Sequence, residues 1–195
     1  MKKRLRDIAE IRSGYQFRGK VSTDEDANVM VVQIKDIDDR FSVRTHDLVS
    51  VKVDKPEPYL VSQGDVLFLS RGHRQYAAVV SEHVQDTIAT GYFFILRPTT
   101  KLVQTEFLAW SINQPEFQEE LRPFMRGSHM PLVSKTDFQD LMITLPTLAV
   151  QEQILQLQNL FDRERELTSA LLQKRGELVQ AISRLLLTGQ LTTKE

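Results

Sequence analysis

The 195-residue sequence contains no cysteine, carries a net charge of only −1 at pH 7 and lacks any long apolar run. Without cysteine, the chain can form neither disulfides nor thiolate metal sites. Because 25 Lys and Arg residues oppose 26 Asp and Glu residues, binding to a polyanion through bulk positive charge is unfavourable. No stretch reaches the roughly 20 apolar residues that cross a bilayer, and no signal-peptide core follows the basic start. We therefore expect a cytoplasmic protein without a membrane partner.

Sequence motifs for catalysis and metal binding are missing as well. The four histidines are scattered without a metal-ligand pair, so we expect no metal site. Neither a G-x-x-x-x-G-K-[ST] phosphate loop nor a G-x-G-x-x-G dinucleotide fingerprint occurs. The acidic runs at 24–26 and 36–39 are more typical of solvated turns than of a cation site. The sequence thus offers no catalytic constellation.

The sequence divides into two regions with different residue patterns, and the change falls near Pro146. The length of the chain fits one domain plus an accessory element, or two small domains. Before Pro146, short runs rich in β-branched and aromatic residues predict strands at 30–34, 65–69, 77–80 and 91–96. Helices are predicted at 3–11, at 104–114 with Thr105 as the cap, in a turn opened by Pro115, and at 134–141. The region before Pro146 is therefore predicted to be an α+β domain.

After Pro146, a single long helix is predicted over 149–187, where no proline occurs and Gly176 is the one glycine. At 1.5 Å per residue, its length is on the order of 58 Å. Positions alternately three and four apart form a heptad-like seam that only Glu164 and Lys174 interrupt; its apolar members are Leu157, Leu160, Leu167, Leu171, Leu178, Ala181 and Leu185. A single helix cannot bury this seam on itself. We expect it to fold back on its own domain, to pair with another chain, or both.

Three glycine-containing loops hold donors that can read the edges of DNA bases. Arginine can bridge guanine O6 and N7, and glutamine can bridge adenine N6 and N7. Each loop alone is typical of a solvated surface, but three of them in a chain without an enzyme motif favour nucleic-acid binding. The candidate DNA-binding residues are Arg12, Tyr15, Gln16, Arg18 and Lys20 in the first loop, Arg71, His73, Arg74, Gln75 and Tyr76 in the second, and Arg126, Ser128 and His129 in the third.

The order of features along the chain resembles the specificity subunits of type I restriction-modification systems. The opening LRDIAEIRSG is similar to the family's L-x-(D/E)-(I/V) start, and QGDVLFLSRG resembles its G-D-(I/V)-L strand and glycine loop. Gly127-Ser128 followed by Leu132 and Leu145-Pro146 is similar to the closing G-(S/T)…L…(I/V)-P segment. LPTLAVQEQI looks like the P-P-L-x-E-Q-x-x-I start of the conserved helical region, and LLLTGQL resembles its exit. Thr147 and Val150 depart from the helical start, where family members often have proline and an acid.

The resemblance implies a non-catalytic DNA-reading chain that binds no cofactor itself. It implies a target recognition domain at 1–146 and a helical spacer and dimerisation region at 147–195. Full-length members have two of each, so a half-length form implies a homodimer or pairing with another half-subunit, through an antiparallel coiled coil. The implied partners are double-stranded DNA, a methyltransferase subunit that uses S-adenosylmethionine, and a restriction subunit that uses ATP.

Two other functional classes compete with this interpretation. In the first, the long helix is a protein-interaction scaffold and the globular part merely caps it. In the second, the chain is an enzyme, such as a stand-alone nuclease, whose site the sequence does not reveal. DNA protection in the presence of a partner would argue against the scaffold, and a lack of cleavage of plain duplex would argue against the nuclease.

Overall fold

The computed structural model of the protein describes residues 1–189. The chain separates into two compact units, Met1–Gln151 and Glu152–Glu195. In chain order, the described strands are β1 Lys2–Arg4, β2 Ala9–Ser13, β3 Val29–Val32, β4 Val49–Val51, β5 Val66–Leu69, β6 Ala77–Val79, β7 Thr87–Ala89, β8 Phe93–Pro98 and β9 Met142–Thr144. The α-helices are α1 Thr105–Asn113, α2 Pro115–Leu121, α3 Lys135–Asp140 and α4 Leu148–Leu187. Short 3₁₀ turns lie at Leu5–Asp7, Ile34–Asp36, Glu57–Tyr59 and Arg122–Phe124.

The strands of the first unit form three sheets. The largest has the order β2-β8-β5-β6, and every neighbouring pair in it is antiparallel. A second sheet has the order β4-β3-β7, with β3 and β7 parallel. The third sheet pairs β1 with β9. Together with α1–α3, these sheets confirm the predicted α+β class.

Strand β5 is apolar at every position because both of its faces are buried. Leu67 and Leu69 belong to the same core cluster as Val32 of β3. On the opposite face, Phe68 stacks on Phe138 of α3 with 4.1 Å between the ring centroids. Since side chains alternate along a strand, the four-stranded sheet packs against helices on one face and the second sheet on the other.

Helices α1, α2 and α3 lie at predicted positions, with one correction at a cap. Ser134 caps α3 by accepting a hydrogen bond from the Asp137 amide at 3.0 Å, and Pro115 opens α2 as predicted. The prediction of Thr105 as the cap of α1 is wrong. Gln104 takes that position, and the Thr105 hydroxyl donates to the carbonyl of Gly64 at 3.2 Å.

The predicted helix at 3–11 is wrong, because the segment holds β1, the turn Leu5–Asp7 and β2 instead. Leu5 and Ile8 are buried, as their three-residue spacing suggested, but one 3₁₀ turn is enough to place both. The flanking backbone pairs with other strands, β1 with β9 and β2 with β8. Long-range pairing therefore overrides a short helical pattern.

Helix α4 spans 40 residues and confirms the predicted long helix. Its first turn belongs to the first unit, where Gln151 is fully buried. The Gln151 amide nitrogen donates to the carbonyls of Leu102 at 2.8 Å and Pro146 at 3.0 Å, and its oxygen accepts from the Gln104 amide at 3.0 Å. These bonds satisfy a buried amide and fix where the helix begins.

In the second unit, the seam leucines are solvent-exposed; Leu157, for example, is 70% exposed. The predicted antiparallel pairing stays a prediction, and so does the domain boundary at 146/147. Of the predicted exit motif, Gln190 and Leu191 lie outside the described residues. Over residues 1–189, no helix combines the length and apolar character needed to cross a membrane.

Candidate nucleic-acid interface

One end of the four-stranded sheet gathers the polar loops. Strands β2 and β5 flank β8 and both run antiparallel to it, so their C-terminal ends meet the N-terminal end of β8. The Gly14 amide donates to the Phe93 carbonyl at 2.9 Å, and the Ser70 amide donates to the Tyr92 carbonyl at 2.9 Å. The segment after β2, the turn before β8 and the loop after β5 therefore lie side by side.

The third predicted loop joins this end of the sheet by backbone pairing. Arg126 and Leu132 exchange two N–H···O bonds of 2.8 and 2.9 Å, which close the loop as a small hairpin. The Gly72 amide donates to the Pro131 carbonyl at 2.8 Å, which fixes the hairpin beside loop 70–76. Gly72 has φ of +118°, a backbone conformation that residues with a Cβ rarely adopt. The glycine thus permits the contact that brings the two loops together.

The charge at this end of the sheet differs from that of the whole chain. Segments 14–20, 70–76, 90–92 and 122–132 contain no Asp or Glu. They contain the lysine and arginines Arg18, Lys20, Arg71, Arg74, Arg122 and Arg126. In a chain with a net charge of −1, these four segments are therefore cationic, although acidic groups of other segments lie beside them, such as Asp137 at 3.4 Å from Arg126. Local positive charge is the electrostatic requirement for contact with DNA phosphates. We call these four segments the basic end.

A groove of about 340 Å³ runs between the second and third loops. Its lining comes from loop 70–76, from the end of α2 and from the segment that follows α2: Gly72, His73, Arg74, Gln75, Gln118, Leu121, Arg122, Met125 and Pro131. Arg122 is exposed beside it and was not predicted from the sequence. Arg122 directly follows α2, outside the three glycine-containing loops from which the candidate residues were predicted. The groove combines an apolar floor with guanidinium and imidazole donors.

Much of the first predicted loop is used to hold the fold together. The Arg12 guanidinium donates to the carbonyls of Pro58 at 3.0 Å and Leu60 at 3.2 Å. The Tyr15 ring packs edge-on against Phe17 and Tyr59, with centroid distances of 4.7 and 5.1 Å. These two side chains therefore have structural contacts inside the first unit.

The other candidate side chains of the first loop are exposed to solvent. The Gln16 amide nitrogen donates to the Gly91 carbonyl at 3.1 Å, and the side chain is exposed. Arg18 and Lys20 are exposed too, and within residues 1–189 neither side chain forms a hydrogen bond or an ion pair. The first loop thus contributes two free cations to the basic end.

In loop 70–76, His73 and Arg74 are exposed and Arg71 is half-buried. The Gln75 amide nitrogen donates to the Gly72 carbonyl, so this group braces the loop internally. Tyr76 is half-buried against the core cluster, and burial raises the pKa of its phenol above the ordinary value, while the nearby Arg74 charge acts in the opposite direction. Arg74 and His73 are thus the most available donors of this loop.

The third loop and the turn before β8 expose further groups. Arg126 is 74% exposed and lies 3.4 Å from the Asp137 carboxylate, while Ser128 and His129 are exposed at the hairpin tip. Tyr92, 41% exposed, stands between the first and second loops and was missed from the sequence. Little in the sequence indicates this exposed position, because Tyr92 follows Thr90-Gly91 within the segment predicted as the strand at 91–96.

At the opposite end of the sheet, an ion pair with a buried carboxylate braces β5 and β8. Asp65 at the start of β5 is 1% exposed and accepts hydrogen bonds from Arg97 Nε at 2.8 Å and Nη2 at 2.7 Å. Its carboxylate also accepts from the Ser62 amide at 2.9 Å. The hydrogen bond to Asp65 raises the pKa of the Arg97 guanidinium above its ordinary value. Asp65 is therefore a structural brace between β5 and β8. In residues 1–189, no group of three or more metal-ligating side chains occurs.

Three solved structures share this fold. The S subunit of a type I restriction-modification system from M. genitalium matches with a TM-score of 0.57 and 14% identity, over 95% of this chain and 45% of that chain. The HsdS subunit from Thermoanaerobacter tengcongensis matches with a TM-score of 0.67 and 22% identity, over 92% and 47%. A chain from a structure concerning complex assembly and conformational transition of the type I R-M system matches at 0.57 and 18%, over 95% and 43%.

This chain therefore spans less than half the length of each of those solved chains. Residues 1–174 match the family described as the type I restriction modification DNA specificity domain. That match covers all the elements from β1 through the basic end and well into α4. The chain belongs to the family of type I restriction-modification DNA specificity domains.

Proposed function

We propose that this chain is a specificity subunit that reads one half of a bipartite double-stranded DNA target. The observation that carries the proposal is the convergence of all three predicted loops on the basic end. Six Lys and Arg residues stand there without an acid within the same four segments. Phosphate contacts would position the duplex, and arginine and histidine donors would read base edges in the major groove.

A methyltransferase subunit would complete the grip on DNA. The chain as a whole is near neutral, so its own phosphate contacts are few and its affinity alone is weak. In this proposal, the methyltransferase subunit holds S-adenosylmethionine and methylates adenine, and a restriction subunit holds ATP. The chain itself is non-catalytic, holds no cofactor and acts in the cytoplasm.

Two copies would meet through α4. The seam residues at 157–185 are exposed, and a heptad pattern of this kind is buried when a second helix packs on it. An antiparallel pair of such helices would act as a spacer between two recognition domains. Because a homodimer has twofold symmetry, its target would be an inverted repeat. Pairing with a different half-subunit would give an asymmetric target instead.

Selection from a randomised duplex library tests this proposal. The full chain and its methyltransferase subunit are incubated with the library, and the bound DNA is sequenced. We expect enrichment of two short half-sites separated by a spacer of fixed length. Binding without any enriched sequence would contradict the proposal.

The exposed seam also favours a second function, a helical protein-interaction scaffold without DNA specificity of its own. Under that alternative, the chain still dimerises, but neither the chain alone nor its mixture with the methyltransferase subunit protects any duplex sequence. Footprinting on the selected duplex separates the two functions, since only the specificity subunit gives a sequence-dependent footprint.

A further inference from the structure

A residue outside the three predicted loops touches the basic end. The guanidinium carbon of Arg74 lies 5.5 Å from the centroid of the Phe41 ring, within the range of a cation–π contact. The Phe41 ring also lies 5.4 Å from the ring of Tyr76, tilted by 38°. Tyr76 in turn packs against the core cluster that contains Leu69 of β5. A continuous series of contacts therefore runs from the core through Tyr76 and Phe41 to an exposed arginine.

The backbone at Phe41 is held in an unfavourable conformation. Its φ is +57°, in the left-handed region that residues with a Cβ seldom occupy. The surrounding turn enforces this conformation: the Asp38 carboxylate accepts from the amides of Arg40 at 2.9 Å and Ser42 at 2.8 Å. The Phe41 carbonyl accepts from the Val79 amide at 2.9 Å, which ties the turn to β6. Strain that is enforced so closely often marks a functional position.

The consequence for Arg74 is restriction of its side chain. A free arginine on a surface samples many rotamers, and ordering it on binding reduces affinity and specificity. A ring 5.5 Å from the guanidinium carbon limits those rotamers before DNA arrives, and it leaves the N–H donors free for a base. Non-specific phosphate attraction does not depend on such orientation, since it depends mainly on charge.

We propose that Phe41 is a positioning residue that holds Arg74 in the orientation needed to read one base of the half-site. This inference rests on the proposed DNA-reading function. It concerns specificity at a single base position, and the residue that it adds lies 33 positions before Arg74 in the sequence.

The test compares Phe41→Leu with Phe41→Tyr in the randomised-library selection, using the full chain with its methyltransferase subunit. Leucine retains an apolar side chain but has no aromatic face, whereas tyrosine retains the face. Arg74→Ala identifies the base position that Arg74 reads. We expect Phe41→Leu to weaken the preference at that same position by about 2–5-fold, from the size of an exposed cation–π contact. Phe41→Tyr should keep the wild-type preference, and the salt dependence of binding should be unchanged in both.

Thermal unfolding of the two Phe41 variants serves as the control for folding. Equal melting temperatures with different base preferences support the positioning role. A wild-type preference in Phe41→Leu, while Arg74→Ala loses one base, would overturn the inference, as would equal losses in the leucine and tyrosine variants. An Arg74→Ala variant that selects the wild-type motif also overturns it but leaves the proposed function intact. Absence of any motif for the wild-type chain overturns both.

Discussion

The two units differ in the burial of their large apolar residues, which are mostly buried in the first unit and mostly exposed in the second. In Met1–Gln151, most large aliphatic side chains lie in a core between sheets and helices, and Phe68 and Phe138 are fully buried. In the second unit, the seam leucines of α4 remain exposed, although their spacing follows a heptad pattern that only Glu164 and Lys174 interrupt. The first unit therefore supplies its own stabilising contacts. The apolar seam of α4 can be buried only by another packing partner. Such a partner would stabilise the helix, because helices in proteins gain most of their stability from packing an apolar face.

The largest expected effect comes from charging the seam of α4. Burial of each leucine contributes about 1.5–3 kcal/mol, and each substitution counts twice in a symmetric pair. The double variant Leu171→Asp, Leu178→Asp should therefore lose on the order of 6–12 kcal/mol of association free energy and run as a monomer in analytical ultracentrifugation. The control is Ser169→Asp, Ser183→Asp, which adds the same charge on the opposite helix face. Equal self-association of both double variants would refute pairing through the seam.

A smaller but still large effect is expected from Gly14→Ala in the first unit. A Cβ at Gly14 would lie 2.2 Å from the Thr90 carbonyl oxygen and 2.6 Å from that of Ala89, so the backbone must move. We expect about 3 kcal/mol of lost stability, because overpacking against backbone is not easily relieved. Gly19→Ala in the same loop is the control, since nothing lies within 4 Å of its Cβ position. Urea unfolding measures both, and similar midpoints would contradict the close approach.

An intermediate effect distinguishes the proposed role of loop 70–76 in base reading from the structural role of Arg12. Arg71→Ala and Arg74→Ala should each relax the selected sequence, by about 1–3 kcal/mol per lost bidentate base contact. Gln75→Ala should relax it by less, because the Gln75 amide is bonded to the Gly72 carbonyl and acts by bracing the loop. Arg12→Ala should instead lower the free energy of unfolding by about 1–3 kcal/mol, because its guanidinium bonds two carbonyls, and should leave the selected sequence unchanged. Methylation-site mapping together with urea unfolding distinguishes the two outcomes. If all three loop variants direct methylation to wild-type sites at the wild-type rate, loop 70–76 does not read DNA.

The smallest expected effect is a gain in the stability of helix α4, whereas the other variants lose association, stability or specificity. Gly176 has open space at its Cβ position and falls on the helix face opposite the seam. Gly176→Ala should therefore stabilise the helix by about 0.8–1 kcal/mol, as seen for glycine-to-alanine changes inside helices. Circular dichroism at 222 nm during heating records the change. Weaker self-association in this variant would instead place Gly176 in the dimer contact.

The sequence predicted those features whose pattern is local. Helix α4 followed from its heptads, and β5 followed from an apolar run between turn residues. The error at 3–11 arose because a buried Leu5–Ile8 spacing fits both a helix and a 3₁₀ turn between strands. Residue types alone also did not separate Arg12, which bonds the backbone of 58–60, from Arg74, which faces outward.

The meeting of the loops was not predictable from any single segment. It depends on the strand order β2-β8-β5, in which the outer strands end at the same edge. The place of Tyr92 depends on that same order, because the Ser70 amide bonds its carbonyl. Arg122 was missed because it lines a groove together with loop 70–76, which is distant in sequence. Phe41 was missed because its contact with Arg74 spans two separate turns.

Sequencing of modified adenines in cells that carry this chain and its methyltransferase subunit tests the central claim most directly. The account predicts methylation at a bipartite inverted repeat, with a half-site that changes when Arg74 is replaced by alanine. A set of modified sites that stays the same when this chain is deleted, or when the arginines of the basic end are replaced together, would contradict it.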